Sequence, residues 1–150
     1  MRRHPNKTPM PALQRGASLI EILIAVLILA IGMLSVGAMQ ATALRNNQSA
    51  LERSQVVLET YSIIDMMRAN VNAARNDAYN MPLTCAAPPG PDRPNVEQAA
   101  WINSIQDALG DTACGQIACI NAVCTVTVQW DDRRGVDGQQ EQQLSTVARI

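Results

Sequence analysis

The sequence predicts an α+β protein in which a long N-terminal helix packs on a small antiparallel sheet held by disulfides. No proline occurs from Ser18 to Tyr79, and this segment is rich in residues that favour helices. From Gln116 onward, apolar and polar residues alternate with the period of a β-strand. All four cysteines lie in the last 66 residues, a pattern typical of small exported domains that are stabilised by disulfides.

The first 16 residues form a basic leader, which we predict to be a targeting segment rather than part of the fold. It contains four basic side chains and no acidic ones. The remaining 134 residues carry 8 basic and 13 acidic side chains, a net charge of −5. Because positive flanks stay on the cytoplasmic side of a membrane, the rest of the chain is expected to face the periplasm. Such an acidic remainder offers no basic surface for nucleic acid.

A long apolar run follows the leader, from Ile22 to Met39, and Ser35 is its single polar residue. As a helix this run would span about 27 Å, close to the ~30 Å hydrocarbon core of a bilayer. Glu21 stands directly before it. A carboxylate costs roughly 2.5–3.5 kcal/mol at the centre of a membrane and less near its surface, so Glu21 is a candidate functional residue.

Two other interpretations of this N-terminal segment stay open. An ordinary secretory signal peptide could be cut at the small residues Ala41 and Ala43, although its apolar core is usually only about 7–15 residues long. Alternatively, the segment could be an uncleaved membrane anchor. Glu21 stands at the front of the apolar core, where a signal peptide normally has apolar or basic residues.

The helix is predicted to continue to Tyr79, with residues 17–43 in the membrane and residues 44–80 amphipathic. Leu44, Leu51 and Leu58 recur every seven residues. The same apolar stripe is completed by Val57, Tyr61, Ile64, Met67, Val71 and Ala74. We expect this stripe to pack on the protein's own globular head rather than in a coiled coil, because the heptad is short and the charges do not alternate regularly.

Residues 81–150 are predicted to form that head. Pro82 should end the long helix, and a proline-rich loop follows over residues 85–94. Asn95 and Gly110 have the residue types of helix caps, which predicts a short helix over residues 96–109. Trp101 lies on the apolar face of this helix and is expected to anchor the core.

The rest of the head is predicted to contain about three antiparallel strands, over residues 116–120, 123–130 and 139–148. A two-residue turn, Asn121-Ala122, would place Cys119 directly opposite Cys124 in a closely spaced pair suited to a disulfide. Four cysteines allow three pairings. This register favours Cys119–Cys124 and therefore Cys85–Cys114.

No combination of residues in the chain predicts catalysis, a cofactor or a metal site. The single histidine, His4, lies in the leader, which excludes hydrolase triads that need a histidine base. Asp131, Asp132 and Asp137 lie close together in the turn before the last strand, but they lack the alternating oxygen ligands and final glutamate of a calcium loop. We therefore expect a solvated turn.

The segment Arg15-Gly16-Ala17-Ser18-Leu19-Ile20-Glu21 resembles the class III signal of type IV prepilins and of type II secretion pseudopilins. The resemblance implies that a prepilin peptidase cuts between Gly16 and Ala17 and that the new amino group of Ala17 is methylated. It further implies that Glu21 acts in filament assembly by pairing with the terminal amine of its own or a neighbouring subunit.

Three further segments resemble the PilV-type minor pilins, namely the apolar sequence 22–34, Met-Arg-Ala-Asn at 67–70 and Val-Gln-Trp-Asp-Asp-Arg-Arg at 128–134. This resemblance implies a pilus subunit that supports twitching motility and adhesion. It would lie in the inner membrane with its head in the periplasm, and then in the pilus with major and other minor pilins as partners. A minor pseudopilin of type II secretion, or a membrane-anchored periplasmic binding module that never assembles, are the alternatives.

Overall fold

The computed structural model describes Gly16, residues 18–135 and residues 138–150. The chain divides into two compact units, with the division between Met39 and Gln40. From here on, the second unit, residues 40–150, is called the head. Helix α1 (Leu19–Ala69) contributes residues to both units. The predicted leader, apart from Gly16, and the predicted methylation site Ala17 lie outside the described residues.

The elements after α1 are α2 (Val71–Arg75), β1 (Met81–Thr84), α3 (Arg93–Leu109), β2 (Cys114–Ile120), β3 (Val123–Trp130) and β4 (Gln142–Arg149). The four strands form one antiparallel sheet in the order β1-β2-β3-β4. Each strand therefore pairs with its neighbour in sequence, and the connection between β1 and β2 contains α3.

Side chains from the two main helices and the sheet form the core of the head. One face of α1 contributes Ile63 and Met67, and α3 contributes Trp101 and Ile105, all at most 1% exposed. The core-facing residues of β3 alternate along the strand with more exposed ones. The predicted fold class is confirmed: the protein is α+β and pilin-like, with a long helix packed on a small sheet.

The structure contains the two disulfides that the strand register favours. Cys119 and Cys124 are directly opposite in the β2–β3 ladder and are bonded, with their Cα atoms 4.0 Å apart. Cys85 is bonded to Cys114, with a Cα separation of 4.1 Å. The turn between β2 and β3 is formed by Asn121 and Ala122 in the left-handed region, at φ values of 50° and 65°, as a tight hairpin requires.

Gly115 on β2 sets the distance between the sheet and α3. A Cβ atom added here would lie 2.5 Å from the Trp101 ring and 2.9 Å from Ile102. The indole can therefore lie directly on the strand backbone. Trp101 is buried as predicted, and its Nε1–H donates to the carbonyl oxygen of Glu59 on α1 at 3.0 Å.

The long helix ends earlier than predicted, at Ala69 rather than Tyr79. Asn70 leaves the helical conformation, and its side-chain amide donates to the Tyr79 hydroxyl at 3.2 Å. The Tyr79 hydroxyl in turn donates to Glu97 on α3. Burial of the fully enclosed Tyr79 ring requires the chain to turn back onto the core, which a straight helix would prevent.

The sheet has four strands rather than about three, because the segment containing Pro82 forms the edge strand β1. Proline is tolerated at a sheet edge, where its missing N–H is not needed by a neighbour.

The ends of three other elements differ by a few residues from the predicted ones. Helix α3 begins at Arg93, with Pro94 in its first turn and Asp92 as its cap, β2 begins at Cys114, and β4 covers Gln142–Arg149.

The predicted apolar stripe packs on the head only in part. Its later members Ile64, Met67 and Ala74 are at most 1% exposed, as predicted, whereas Leu44, Leu51 and Leu58 are 65%, 68% and 63% exposed. The buried residues of α1 are Val56, Thr60, Ile63, Ile64 and Met67. Apolar residues are thus present on two faces of this helix, and sequence periodicity alone did not show which face the sheet would cover.

Candidate functional site

Glu21 lies in the first turn of α1, and its side chain is exposed. The carbonyl oxygen of Ser18 accepts hydrogen bonds from the backbone N–H groups of Glu21 at 3.0 Å and Ile22 at 3.2 Å, which starts the helix. An acidic residue is favourable here because the N-terminus of a helix carries a partial positive charge. Gly16 is described and exposed, whereas the proposed cleavage partner Ala17 is not described.

Every residue of α1 from Leu19 to Met39 is exposed. Among the described residues, one helix, Leu19–Ala69, is long and apolar enough to cross a membrane by length and composition. The single hydroxyl in the apolar run is satisfied within the helix, because Ser35 Oγ donates to the Ile31 carbonyl oxygen at 3.0 Å. This arrangement leaves no unpaired side-chain hydroxyl to oppose burial in lipid.

A second exposed surface lies on the part of α1 that belongs to the head unit. We call it the leucine face. Its residues share one side of the helix, are exposed and carry no charge: Ala43, Leu44, Asn47, Ala50, Leu51, Ser54, Leu58, Tyr61 and Ser62. The charged residues of the same stretch, Arg45, Glu52, Arg53 and Glu59, project from other sides of the helix. A solvent-facing helix surface is normally polar and charged, so this one is unusual.

The turn between β3 and β4 is fastened to α1 by Asp132, which is only 2% exposed. Its carboxylate accepts a hydrogen bond from Ser49 Oγ at 2.7 Å and lies 3.9 Å from the Arg53 guanidinium. The turn closes tightly around this residue: an added Cβ on Gly138 would lie 1.7 Å from the Asp132 carbonyl oxygen. Asp132 therefore has a structural role, and the prediction of a solvated turn is wrong for this residue.

A polar cleft of about 720 Å³ lies beside this turn, between α1 and the end of α3. Burial, and secondarily the neighbouring Asp132 carboxylate, raise the pKa of Glu52 in its wall. The buried indole N–H of Trp130 has no hydrogen-bond partner among the described residues, yet it is near enough to Glu52 to oppose part of this shift. The other charged lining residues are Asp111, Asp131, Arg133 and Arg134.

Two of the charged residues of the cleft form an ion pair with each other, Arg133 and Asp131. Arg133 donates to both carboxylate oxygens of Asp131, and these hydrogen bonds lower the pKa of that carboxyl group. Within the described ranges, no three histidine, cysteine, aspartate or glutamate side chains are grouped so that they could hold a metal ion. All the described cysteines are in disulfides, which leaves no thiol for chemistry. Asp137, the third acidic residue of the predicted turn, lies outside the described residues.

Residues 12–37 match the family model of the prokaryotic N-terminal methylation motif. The match covers about a sixth of the chain and includes Gly16, Ala17 and Glu21. Neither the curated proteins nor the solved structures contain a significant match to this chain. The motif, joined to an exposed apolar helix and a pilin-like head, supports a membrane-anchored protein of the type IV pilin or pseudopilin class.

Proposed function

We propose that this chain is a minor type IV pilin of the PilV type, a structural subunit that is processed, anchored in the inner membrane and then built into a pilus. The methylation motif over residues 12–37 carries this proposal. A fold with a disulfide-tied head behind a long apolar helix agrees with a structural subunit. The subunit would support pilus assembly, twitching motility and adhesion.

The proposed processing site is the bond between Gly16 and Ala17. Prepilin peptidase would cut it and leave Ala17 as a methylated amino terminus, four residues before Glu21. The glycine suits a bond that must enter a peptidase site, because it has no side chain to obstruct the approach of another protein's backbone. The test is the terminal mass of the mature protein, which should be that of N-methylated Ala17. An intact leader, or a start near Ala43, would reject this part of the proposal.

Glu21 is the proposed assembly residue. An exposed carboxylate at the start of an apolar helix is costly in lipid, and a cation at the same depth relieves that cost. The terminal amine of a neighbouring subunit is such a cation, and attraction between the two is stronger in a medium of low dielectric than in water, although desolvation offsets part of it. This pairing would set the axial position of one subunit against the next.

The matching experiment compares Glu21→Ala with Asp65→Ala, which removes an exposed carboxylate from the same helix. We expect both variants to enter the membrane and fold. Only Glu21→Ala should be lost from sheared filaments, by roughly tenfold or more, because a missing charge pair in low dielectric costs more than 1.4 kcal/mol. Equal incorporation of the two variants would contradict the assembly role of Glu21.

A minor pseudopilin of type II secretion is the second candidate, because the same methylation motif supports that class. Deletion of the gene distinguishes the two. Loss of twitching with normal protein secretion supports the pilus role, and the reverse outcome supports the secretion role. A membrane-anchored binding module that does not assemble would leave both processes unchanged.

A further inference from the structure

The two edges of the sheet in the head differ in how they are protected. Strand β1, at one edge, has only four residues, contains Pro82 and shifts its register between Met81 and Thr84. Beside it, the Asn80 side-chain amide accepts from the backbone N–H of Cys119 at 2.7 Å and donates to its carbonyl oxygen at 3.5 Å. Short length, proline and an irregular register are common means of keeping a sheet edge from pairing with another chain.

Strand β4, at the other edge, has none of these protective features. It has eight residues and pairs with β3 over its full length without a shift in register. It contains no proline, and its only ionisable side chain is Arg149 at its end. Among the described strands, none pairs with its outer edge. An edge of this length without protection is a template for pairing with a further strand.

The register of the sheet shows which backbone groups of β4 point outward. With Cα atoms 4.0 Å apart, Cys119 and Cys124 form a pair that does not exchange hydrogen bonds. The backbone groups of Cys124 therefore point to β4, where Ala148 lies opposite. Ile150, two residues later, likewise donates inward, to the Ala122 carbonyl oxygen at 2.9 Å. Because this direction alternates along a strand, four residues of β4 direct their N–H and C=O groups outward: Gln143, Ser145, Val147 and Arg149. The same four are the exposed residues of the strand.

The side chains along this edge define the segment that fits it. Leu144 and Ala148 are half-buried and pack against the rim of the core. An added strand would place every second side chain beside them, where apolar residues extend the core. On the outer face, Gln143 and Ser145 are uncharged, and in the described part of the chain Arg149 has no ion pair. The fitting segment therefore alternates apolar with uncharged polar residues and has a carboxylate beside Arg149.

Neither the predicted leader nor the β4 strand of a second copy meets this requirement. The leader contains Pro5, Pro9 and Pro11, and each proline lacks an N–H for a ladder. Two β4 strands paired in parallel and in register would set Arg149 against Arg149. Two β4 strands paired antiparallel are related by a two-fold axis perpendicular to the sheet, which reverses the direction of α1. Two copies anchored by α1 in one membrane run the same way, a point that rests on the proposed function.

We propose that the outer edge of β4 takes up an extended segment of a different protein as a fifth strand of the sheet. The segment runs antiparallel to β4, which is the more stable direction per residue. Backbone hydrogen bonds to the four outward-facing residues provide affinity, and the alternating side chains and the carboxylate provide specificity. The site involves neither Glu21 nor α1.

The first test uses the full chain in detergent and a dye-labelled synthetic peptide that copies β3. This strand already has the required alternation and pairs with β4. The peptide carries Cys124→Ser, which removes the thiol, and Val123→Glu, which supplies a carboxylate for Arg149. Fluorescence anisotropy should show saturable binding, and its absence would overturn the proposal.

Amide hydrogen exchange locates the bound peptide on the parent protein. Exchange should slow at Ser145 and Val147, whose N–H groups point outward. It should stay unchanged at Thr146, whose N–H is already bonded to β3. Binding that leaves the Ser145 and Val147 amides unprotected would overturn the proposal.

A proline at position 145 tests the backbone hydrogen bonds directly. Ser145→Pro removes an outward N–H that β3 does not use, so the head should still fold, which circular dichroism checks. Peptide binding should weaken by roughly fivefold or more, the factor expected for one lost hydrogen bond. The matched control Ser145→Thr keeps the N–H and the hydroxyl and should bind like the parent. Equal binding by a folded Ser145→Pro would contradict the proposal.

The carboxylate is tested by Arg149→Gln. This variant should bind the glutamate peptide about two- to fivefold more weakly than the parent does, as expected for an exposed ion pair. A second peptide that keeps Val123 should bind the two proteins equally. The same loss with both peptides would reject the carboxylate as a part of the partner segment.

The natural partner is tested in cells with the photoreactive residue benzoylphenylalanine in place of Val147. Mass spectrometry should place the cross-link in a segment of a different protein that has the alternating pattern. Addition of Ser145→Pro should abolish this cross-link. The control position is Ala118, which is exposed on the same face of the sheet but lies on β2, two strands from the edge. Cross-links to a second copy only, or equal cross-linking from Ala118, would overturn the proposal.

These results are separable from that of the Glu21 experiment. If Glu21→Ala enters filaments normally while the peptide binds at β4, the assembly role of Glu21 is wrong and the strand uptake remains. If the peptide does not bind while Glu21→Ala is lost from filaments, the strand uptake is wrong and the pilin function remains.

Discussion

Residues 19–39 and the head contain the same kinds of apolar side chain in opposite surroundings. Leu23 and Ile28 in the first region are 62% and 64% exposed, whereas Ile63 and Ile105 in the head are fully buried. These two side chains belong to a core that the sheet and helices of this unit enclose. Every residue of the first region is exposed, as expected for the membrane anchor that the methylation motif supports. The difference separates residues that stabilise the fold of the head from residues that suit a membrane anchor.

The comparison between buried and exposed apolar residues predicts the largest loss of stability when a core side chain is removed. Trp101→Ala should lower the free energy of unfolding of the head by about 3–5 kcal/mol, since it leaves a large cavity beside Gly115 and removes the hydrogen bond to Glu59. Chemical unfolding in detergent, followed by Trp130 fluorescence, measures it. The control Leu27→Ala, in the exposed segment, should leave the transition unchanged. A similar loss from both variants would break the comparison.

The two disulfides should differ in their contribution to the head. Cys85–Cys114 closes a loop with a sequence separation of 29 residues, and Cys119–Cys124 one of 5. A longer closed loop restricts the unfolded chain more. Removal of the first bridge by Cys85→Ala with Cys114→Ala should therefore lower the free energy of unfolding by about 3.6 kcal/mol, and removal of the second bridge by about 2 kcal/mol. The second is best tested as Cys119→Val with Cys124→Ala, which keeps the buried volume nearly constant. The reverse order in urea unfolding would contradict this account.

A smaller and opposite effect is expected at the β2–β3 turn. Ala122 has a φ of 65°, a conformation that costs a residue with a side chain roughly 1–2 kcal/mol. Ala122→Gly should therefore raise the free energy of unfolding by about 1 kcal/mol. The same change at Ala118, an exposed residue in the extended part of β2, should lower it by about 0.5–1 kcal/mol. Equal signs for the two variants in thermal unfolding would show that backbone conformation is not the cause.

The smallest effect depends on pH and involves Glu52. Burial raises the pKa of the Glu52 carboxyl group, so the folded head binds this proton more tightly than the unfolded chain does. The stability associated with this proton is fully present below the ordinary carboxyl pKa and is lost as the pH rises through the raised value. Glu52→Gln should therefore be more stable than the parent near pH 7, and the difference should shrink toward pH 4. Glu141→Gln, at an exposed site, is the control for losing one charge, and a pH-independent gain would reject this explanation.

Several features of the head followed from local sequence patterns. The turn at Asn121-Ala122 placed Cys119 opposite Cys124, because a two-residue turn leaves one register for the adjacent strands. Gly110 ends α3 with a positive φ of 104°, as its cap role predicts. The membrane segment was predicted from the length and composition of the apolar run, and Glu21 was singled out by its position directly before that run. The match of residues 12–37 to the methylation motif supports that N-terminal prediction.

Other features depended on contacts between residues far apart in the chain. Where α1 ends, the chain turns to place Tyr79 in the core, where its hydroxyl donates to Glu97, 18 residues later in the chain. The buried Asp132 carboxylate accepts from Ser49, 83 residues away. No local pattern encodes either contact. A possible signal for the second was the pair Gly135 and Gly138, whose lack of side chains allows the turn to close around Asp132.

The amino-acid sequence alone determined the apolar N-terminal segment with its carboxylate, the class of fold and the disulfide-compatible hairpin, because periodicity, turn chemistry and charge are local properties. Only the tertiary structure decided which face of α1 the sheet covers, and thus that Leu44, Leu51 and Leu58 remain exposed. A helix with apolar residues on two faces can bury either one, and the choice is made by the shape of the core that forms against it.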